Sequence, residues 1–426
     1  MAAWLGRRLR AGAFFKQLGP GLVTGAADDD PSGIATYSQA GAQFGFGMLW
    51  TMVLTYPLMS AVQLVSAQIG RVTGCGLAKI LDDVFPRPVV TTLVGLLFVA
   101  NTVNIGADLA AMGEAGALVI GTGEKALTIG FALFSLLLQL FVPYHRYVRY
   151  LKWLTLSLFA YVAVVLIVHL DWGNAAVSLV APKVSIGKES LTMVVAIFGT
   201  TISPYLFFWQ SSQEVEEVEA DPRAEPLIDA PRQAPRAMAR MRLDTFFGMA
   251  VSNLIALAIM LATAATLNAH GVTHIDTAAQ AAKALEPAAG RFAFALFALG
   301  IVATGLLATP VLAGSAAYAV AESRGWPVGL ENKPWEAVGF YSIIALATIL
   351  GMGIVFSPLD PIKALFWSAV VNGVIAAPIM VAMMIAASKP REMGRFTIGL
   401  PLTIFGWIAT AAMAAATAAM LASQWL

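Results

Sequence analysis

Three consecutive aspartates stand before a proline inside an apolar stretch near the N-terminus. Asp28, Asp29 and Asp30 lead into Pro31, and Gly33 follows within one turn. Pro31 lacks a backbone donor and disfavours helix at the residue before it, while glycine eases unwinding of the next turn. This pattern predicts two half-helices that leave free carbonyls and a carboxylate at the break, a setting suited to a cation.

A second interruption occurs in the sixth apolar segment of the chain. Pro204 lies there between Ser203 and Tyr205, and no charged residue accompanies it. Paired interruptions in corresponding helices of two halves are typical of transporters built from inverted repeats. Unwound backbone at membrane depth persists only where protein or a water-filled cavity surrounds it. The two breaks are therefore predicted to converge near the middle of the bilayer.

Other polar residues within apolar segments are candidates for the pathway or its gating. Asp108 lies in the third segment and Asn372 in the tenth. Asn101 and Asn104 also lie in the third segment, where an asparagine more often forms a hydrogen bond to a neighbouring helix than lines a pathway. Intramembrane ionisable residues are functional candidates by default. We predict pathway or gating roles for Asp108 and Asn372.

The roles of Asp28 and Asp29 stay open at this point, because these residues either line a vestibule or face water. Consecutive side chains point in different directions, so no facing pair is predicted from them. Gln210 and Glu214 follow the second break by one and two turns. These two residues could line the exit towards the cytoplasm.

Composition places these residues in a membrane protein. Of 426 residues, 58% are apolar and only 12% are charged, with a mean hydropathy of +0.76. A typical soluble domain has roughly 25% charged residues, so this chain requires a lipid bilayer. A net charge of +1 gives no electrostatic footprint for nucleic acid. The single cysteine, Cys75, cannot form an internal disulfide.

Apolar runs between charged or Pro/Gly-rich breaks predict eleven spans, since a helix needs roughly 20 apolar residues to cross the hydrocarbon core. The third run is long enough to include an extramembrane turn. The spans lie near 18–43, 47–70, 89–121, 126–142, 151–170, 190–213, 243–268, 292–322, 335–356, 362–387 and 397–424.

Basic residues predict the orientation. With the N-terminus inside, 20 basic residues fall in inside segments and six in outside loops, as the positive-inside rule requires. We expect a multi-pass protein of the cell (inner) membrane with a cytoplasmic N-terminus and an external C-terminus. The basic start of the chain has no cleavage site typical of a signal peptide.

The spans divide into two blocks and one additional helix. Residues 1–17 form a cytoplasmic N-terminal segment, 18–170 a first inverted repeat, 190–387 a second inverted repeat, and 397–424 the eleventh span. The long polar stretch 213–243 is predicted to be a cytoplasmic loop within the second repeat.

At these residues the sequence resembles the Nramp family of divalent-metal transporters. The resemblance covers nearly the whole chain, and its signatures are Gly19-Pro20-Gly21, the Asp30-Pro31 break and the run TTISPYLFFWQSS that begins at Thr200. It implies an all-α, LeuT-like fold of 11 transmembrane helices with a 5+5 inverted repeat plus one. It further implies a secondary transporter that works by alternating access.

The resemblance also implies a set of metal ligands. Asp30 matches the family's aspartate ligand, and Thr200 matches the residue that supplies a backbone carbonyl. Gly33 takes the place of an asparagine and Ser203 that of the metal-binding methionine. Tyr205 replaces a histidine associated with proton movement. Asp108 is kept in the third span, but Ala111 stands where a second acid is typical, with Glu114 one turn further on.

These departures favour Mg²⁺. A thioether helps to select softer metals, whereas Mg²⁺ is usually held by one or two carboxylates plus water. An oxygen-only site with Ser203 therefore predicts Mg²⁺ transport, with Mn²⁺ tolerated, as in the Nramp-related magnesium transporter branch. Since Tyr205 and Ala111 cannot titrate usefully, proton coupling is expected to be weak or absent.

Two alternatives within transport remain, a proton-coupled Mn²⁺/Fe²⁺ importer and a Na⁺-coupled organic-solute symporter on the same fold. A central aspartate would repel the carboxylate that many organic solutes carry. No nucleophile elbow or HExxH motif appears, so an enzyme is not expected. We expect no cofactor, with the divalent metal ion as substrate, and no obligatory protein partner.

Overall fold

The computed structural model describes residues 20–424, apart from 122, 145, 147–150, 152–154, 183–186, 355 and 357–359. The described chain is nearly all helical, which confirms the predicted class. Its longer helices are α1 Pro20–Asp28, α2 Pro31–Phe44, α3 Trp50–Thr73, α4 Leu77–Val84, α5 Arg87–Ile120, α6 Glu124–Phe141, α7 Phe159–Ile167, α8 Trp172–Val180, α9 Lys188–Thr201, α10 Pro204–Ala220, α11 Ala234–Thr266, α12 Ala293–Arg324, α13 Val338–Ile354, α14 Pro361–Ala387 and α15 Leu400–Ser423.

Short helices connect these elements. They are the α-helical segments Ala278–Ala282, Glu286–Ala289 and Pro390–Met393, together with the 3₁₀ segments Gly45–Met48, Thr155–Leu158, Pro231–Gln233, Asn268–His270, Lys283–Leu285, Gly290–Phe292 and Gly394–Phe396.

Length and hydropathy assign eight membrane-spanning helices within the described residues, or up to nine if the sharply bent pair α7 and α8 is one span. The shorter apolar helix Val338–Gly353 adds a further candidate. Eleven spans therefore stay a prediction. The predicted cytoplasmic segment 1–17 lies outside the described residues.

Two expectations about the spans are wrong. The third span contains no turn, because α5 runs without interruption from Arg87 to Ile120. The stretch 213–243 is mostly helical, since α10 continues to Ala220 and α11 begins at Ala234. Glu217 of α10 and Arg240 of α11 form an ion pair across the two extensions. This half-exposed pair joins the two extensions, and the connection between the helices is confined to 221–233.

Close helix contacts hold the two broken helices against the rest of the bundle. The first pair, α1 and α2, packs on α11, while α9 packs on α14 and α10 on α3 and α12. Gly25 of α1 meets the backbone of Gly248, and Gly199 of α9 meets the backbone of Gly373. A β-carbon at either contact would collide with main-chain atoms, so glycine is required for this approach.

The long helix α5 crosses beside both breaks. It contacts α12, α6, α13 and α14, and a short stretch of it contacts α2. This placement brings the polar residues of the third span to the broken helices.

Candidate functional site

The first helix break lies between α1 and α2 and is organised by Asp30. Its backbone is extended (φ −69°, ψ 171°), and Pro31 occupies the first position of α2. The Asp30 Oδ1 atom accepts hydrogen bonds from Gly33 N at 2.8 Å and Ser32 Oγ at 2.6 Å. This carboxylate therefore caps the N-terminus of α2 and satisfies one of its free backbone donors.

The other oxygen of Asp30 belongs to a polar network from α5 and α14. Asn104 Nδ2 donates to Asp30 Oδ2 and to Asp108 Oδ2, each at 3.1 Å. Asn372 Nδ2 donates to Asn104 Oδ1 at 2.8 Å. The structure thus brings together three residues that the sequence analysis singled out separately, and Asn104 connects them. Asn101 instead binds Leu312 and Ser315 of α12, as expected of a residue that joins helices.

The second break, between α9 and α10, carries no charge. Ser203 is extended (φ −71°, ψ 131°) and precedes Pro204 at the start of α10, yet its side chain does not cap that helix. The Ser203 hydroxyl turns back and donates to the carbonyl of Gly199, at 2.7 Å, or to that of Thr200, at 2.9 Å. The two groups implied as ligands by the resemblance are therefore bonded to each other.

Gly33 and Thr200 bring the two breaks together. A β-carbon added at Gly33 would lie 3.1 Å from Thr200 Oγ1 and 3.3 Å from the Asp28 carbonyl oxygen. Tyr205 adds a second link, because its hydroxyl donates to the Ala27 carbonyl at 3.3 Å. The predicted convergence of the breaks is present in the structure, and any larger residue at position 33 would crowd it.

Asp28 and Asp29 do not point in different directions, so that expectation is wrong. Ser252 Oγ of α11 lies 2.6 Å from Asp28 Oδ2 and 3.1 Å from Asp29 Oδ1. Helix α1 ends at Asp28, and the backbone leaves helical geometry after it. Both side chains can therefore turn towards the same hydroxyl. Both residues are buried, which also excludes the alternative that they face water.

A polar chain leads from α1 towards the extended ends of α10 and α11. Thr24 Oγ1 donates to Gln210 Oε1 at 2.5 Å, and Gln210 Nε2 donates to Glu214 Oε1 at 3.2 Å. Glu214 lines a cavity of about 750 Å³ together with Asp244. Asp244 Oδ2 in turn accepts from Gly21 N at 2.6 Å. This arrangement agrees with the placement of Gln210 and Glu214 along an exit route.

Glu114 does not join the site. Its Oε1 atom accepts from the Ala278 backbone at 2.8 Å, at the start of a short helix after α11. The residue is one and a half turns from Asp108 on α5 and serves another contact. Glu114 therefore does not substitute for the acid that is absent at Ala111.

Sequence reasoning missed Ser252 and understated Asn104. Ser252 lies in an apolar run of α11 among small residues, and a lone serine there gives no signal beyond helix packing. Asn104 could have been found from its spacing, because it lies one helical turn before Asp108 on the same face of α5.

Several buried side-chain oxygens around the breaks make no hydrogen bond among the described residues, and four of them belong to residues predicted for the site or its pathway. They are Asp28 Oδ1, Asp108 Oδ1, Asn372 Oδ1 and Thr200 Oγ1. Buried polar atoms are almost always partnered, so such atoms call for an ion or water. Carboxylate, amide and hydroxyl oxygens are ligands that hard cations prefer. The arrangement can therefore bind a hard cation between α2, α5, α9 and α14.

The chain is similar to proteins of one known family. The family profile described as Nramp, natural resistance-associated macrophage protein-like, matches residues 21–423. The divalent metal cation transporter MntH of Burkholderia ambifaria is 26% identical over 417 residues, covering 96% of this chain and 89% of the relative. MntH of Klebsiella pneumoniae strain 342 is 26% identical over 92% of this chain and 91% of its own.

Solved structures show the same fold at lower sequence similarity. The Eremococcus coleocola manganese transporter, solved with an aromatic bis-isothiourea substituted compound, aligns with a TM-score of 0.77 at 16% identity. The alignment covers 98% of this chain and 87% of that one. Mhp1, a nucleobase-cation-symport-1 family transporter, aligns with a TM-score of 0.56 at 14% identity over 95% and 92%. The fold is thus LeuT-like, and the chain belongs to the Nramp family.

Proposed function

We propose that this chain carries Mg²⁺ in preference to Mn²⁺ by alternating access, with weak or no proton coupling. The broader activity follows from its family, and the chain is a divalent metal cation transporter of the Nramp type. Which cation it prefers and how transport is driven are the subject of the proposal. We further propose that the site ligands are Asp30, the Thr200 carbonyl and Ser203, with Gly33 adding no side-chain ligand and water completing the shell.

The observation that carries this proposal is the chemistry of the second break. Ser203 places a hydroxyl where typical family members have a thioether, and the hydroxyl is bonded within its own helix end. The negative charge at the two helix breaks comes from the first break, where Asp30 lies, and the second break carries none. A site with one carboxylate, neutral oxygens and space for water suits an ion that keeps part of its hydration shell.

Weak proton coupling is supported by the residues around Asp30. Tyr205 stands at the position of the proton-linked histidine, and its hydroxyl bonds the Ala27 carbonyl. Phenol ordinarily loses its proton near pH 10, so Tyr205 stays neutral under physiological conditions. Ala111 has no ionisable group. The chain therefore lacks two of the groups to which the resemblance assigns proton movement.

A proton-coupled Mn²⁺/Fe²⁺ importer is the second candidate. The curated relatives are named MntH, and the Eremococcus coleocola structure is described as a manganese transporter. One feature of the chain also favours this candidate, since Met112 packs against Gly305 beside Pro31. A thioether close to the first break could favour softer cations.

Two further proposals concern the placement of the chain. We propose that the acidic end of α10 and the arginine-rich start of α11 lie in the cytoplasm, with the C-terminus external. We also propose that 18–170 and 190–387 form the two inverted repeats, each opened by one of the broken helices.

Uptake by the full chain in proteoliposomes tests the function. Mg²⁺, Mn²⁺ and Ca²⁺ are supplied side by side while internal pH is recorded, with protein-free vesicles as background. We expect Mg²⁺ to enter at least as fast as Mn²⁺, without acidification that follows the amount of metal. Entry of Mn²⁺ with exclusion of Mg²⁺ would contradict the preference, and acidification proportional to uptake would contradict weak coupling.

A further inference from the structure

At the end of α1, the carboxylates of Asp28 and Asp29 both lie beside the hydroxyl of Ser252. Asp28 is 0% exposed and Asp29 is 2% exposed. Ser252 Oγ lies within hydrogen-bonding distance of both, at 2.6 Å and 3.1 Å. A serine hydroxyl has one hydrogen and can donate to only one acceptor at a time. One of the two carboxylates is therefore left without this donor at any moment.

No basic side chain offsets this buried pair among the described residues. The ion pairs found there involve other carboxylates, those of Asp83, Glu217, Asp221, Asp276 and Glu392. An isolated charge in an apolar interior remains strongly unfavourable even after the surrounding protein has relaxed. Two adjacent buried carboxylates are therefore stable only when protons or a bound cation neutralise them.

Separate, unpartnered oxygen atoms point to the same place. Asp28 Oδ1 is buried and makes no hydrogen bond. Tyr37 of α2 is fully buried, and its hydroxyl makes no hydrogen bond among the described residues. Its ring lies beside Gly33, as does the Asp28 carbonyl oxygen. A buried phenol oxygen of this kind is available as a neutral ligand or as a partner for a bound water.

We propose that Asp28, Asp29 and Ser252 form a second divalent-cation site beside the site at Asp30. It rests on the proposed function and extends it from one ion position to two. Two carboxylates, a hydroxyl and water make a donor set that suits Mg²⁺ or Mn²⁺. No group of three or more acidic, cysteine or histidine side chains converges in the described chain, so water completes the coordination.

The location gives the second site a role in release. The Asp28 carbonyl oxygen lies close to Gly33, so the two positions are adjacent across the first break. Like charges at this separation repel, and coupling between two sites is reciprocal. An ion at Asp28 and Asp29 therefore weakens the hold of Asp30 on its own ion. The polar chain from Thr24 to Glu214 begins one helical turn before Asp28 on α1 and leads to the cavity.

Manganese binding to the full-length protein in detergent tests this proposal. Equilibrium dialysis with Mn²⁺ counts the ions, and electron paramagnetic resonance reports whether two Mn²⁺ ions lie close enough to broaden each other's signal. We expect two ions per chain with mutual broadening. The double variant Asp28→Asn/Asp29→Asn should bind one ion without broadening, and Asp30→Asn should also bind one.

The control and a milder variant keep the outcomes distinct. Asp171→Asn, at the exposed start of α8, should still bind two ions. Ser252→Ala should weaken binding of the second ion about fivefold and leave binding of the first unchanged, because one neutral ligand is worth about 1 kcal/mol. This variant also tests the second site if the double variant does not fold. A single ion that depends on Asp30 alone, with uptake intact, would overturn the second site. Neither binding nor uptake by the unaltered chain would overturn the proposed function itself.

Discussion

The two helix breaks of this protein have similar backbones and opposite chemistry. Each has an extended residue followed by a proline that begins the next helix, Asp30-Pro31 in one and Ser203-Pro204 in the other. Asp30 directs its carboxylate forwards, onto the start of α2 and towards Asn104. Ser203 directs its hydroxyl backwards, onto the end of α9.

This difference assigns affinity for a divalent cation to one break and selectivity between cations to the other. The first break supplies the negative charge and hence most of the affinity for a divalent cation. The second supplies neutral oxygens, which distinguish cations by hardness and size and contribute less to affinity. Changes at the first break should therefore reduce uptake of every ion, whereas changes at the second should alter the ratio between ions.

The largest effect is expected from Asp30→Asn, which removes the charge and keeps the shape. Uptake of Mg²⁺ and Mn²⁺ should both fall by about 100-fold or more, since loss of one partner of a buried charge pair costs about 3 kcal/mol. Initial rates in proteoliposomes measure this, with Asp171→Asn as the matched control. If Asp30→Asn retains more than about a tenth of the uptake of either ion, the loss is less than about 1.4 kcal/mol. That result would mean that the main ligand is another residue.

Asn104→Leu should have the next largest effect. The substitution removes the donor that serves Asp30 and Asp108 together and breaks the contact with Asn372. Loss of hydrogen bonds to charged groups costs about 1.5–3 kcal/mol, so uptake should fall about 10- to 100-fold for both ions.

Asn101→Leu, one turn earlier on α5, provides the comparison because its partners are Leu312 and Ser315. It should lower thermal stability and leave apparent affinity for metal nearly unchanged. Equal losses of affinity in the two variants would mean that Asn104 acts through packing alone.

Ser203→Met should have the smallest effect on total uptake and the clearest effect on selectivity. A thioether favours softer cations, so the ratio of Mn²⁺ to Mg²⁺ uptake should rise about fivefold to tenfold, close to 1.4 kcal/mol of discrimination. Parallel uptake of both ions gives this ratio, and Ser203→Ala is the control for loss of the hydroxyl. An unchanged ratio in Ser203→Met would mean that the second break does not determine selectivity between the two ions.

Local rules were sufficient to predict both breaks. Proline after an aspartate or a serine within an apolar run has few structural solutions, so Asp30 and Ser203 could be assigned to broken helices from residue types alone. The helical class and approximate spans followed from hydropathy in the same way. The family resemblance supplied the LeuT-like fold that ties the two breaks together.

Contacts between distant segments could not be predicted in this way. The meeting of Asp28 and Asp29 at Ser252 depends on where α1 ends and on how closely Gly25 approaches Gly248. The contact between Glu217 and Arg240 likewise depends on the extensions of α10 and α11 lying side by side. Each of these features depends on which helices pack together, and the order of residues along the chain does not reveal that.

Competition between the two ions tests the central claim most directly. Uptake of a trace of Mn²⁺ is measured in proteoliposomes containing the unaltered chain while external Mg²⁺ is raised. If Mg²⁺ is the preferred ion at Asp30, Mn²⁺ uptake should be halved at a Mg²⁺ concentration no higher than the concentration of Mn²⁺ that half-saturates its own uptake. Mn²⁺ uptake that is unchanged when Mg²⁺ reaches about 100 times the half-saturating concentration of Mn²⁺, a difference of about 2.7 kcal/mol in binding, would contradict the account.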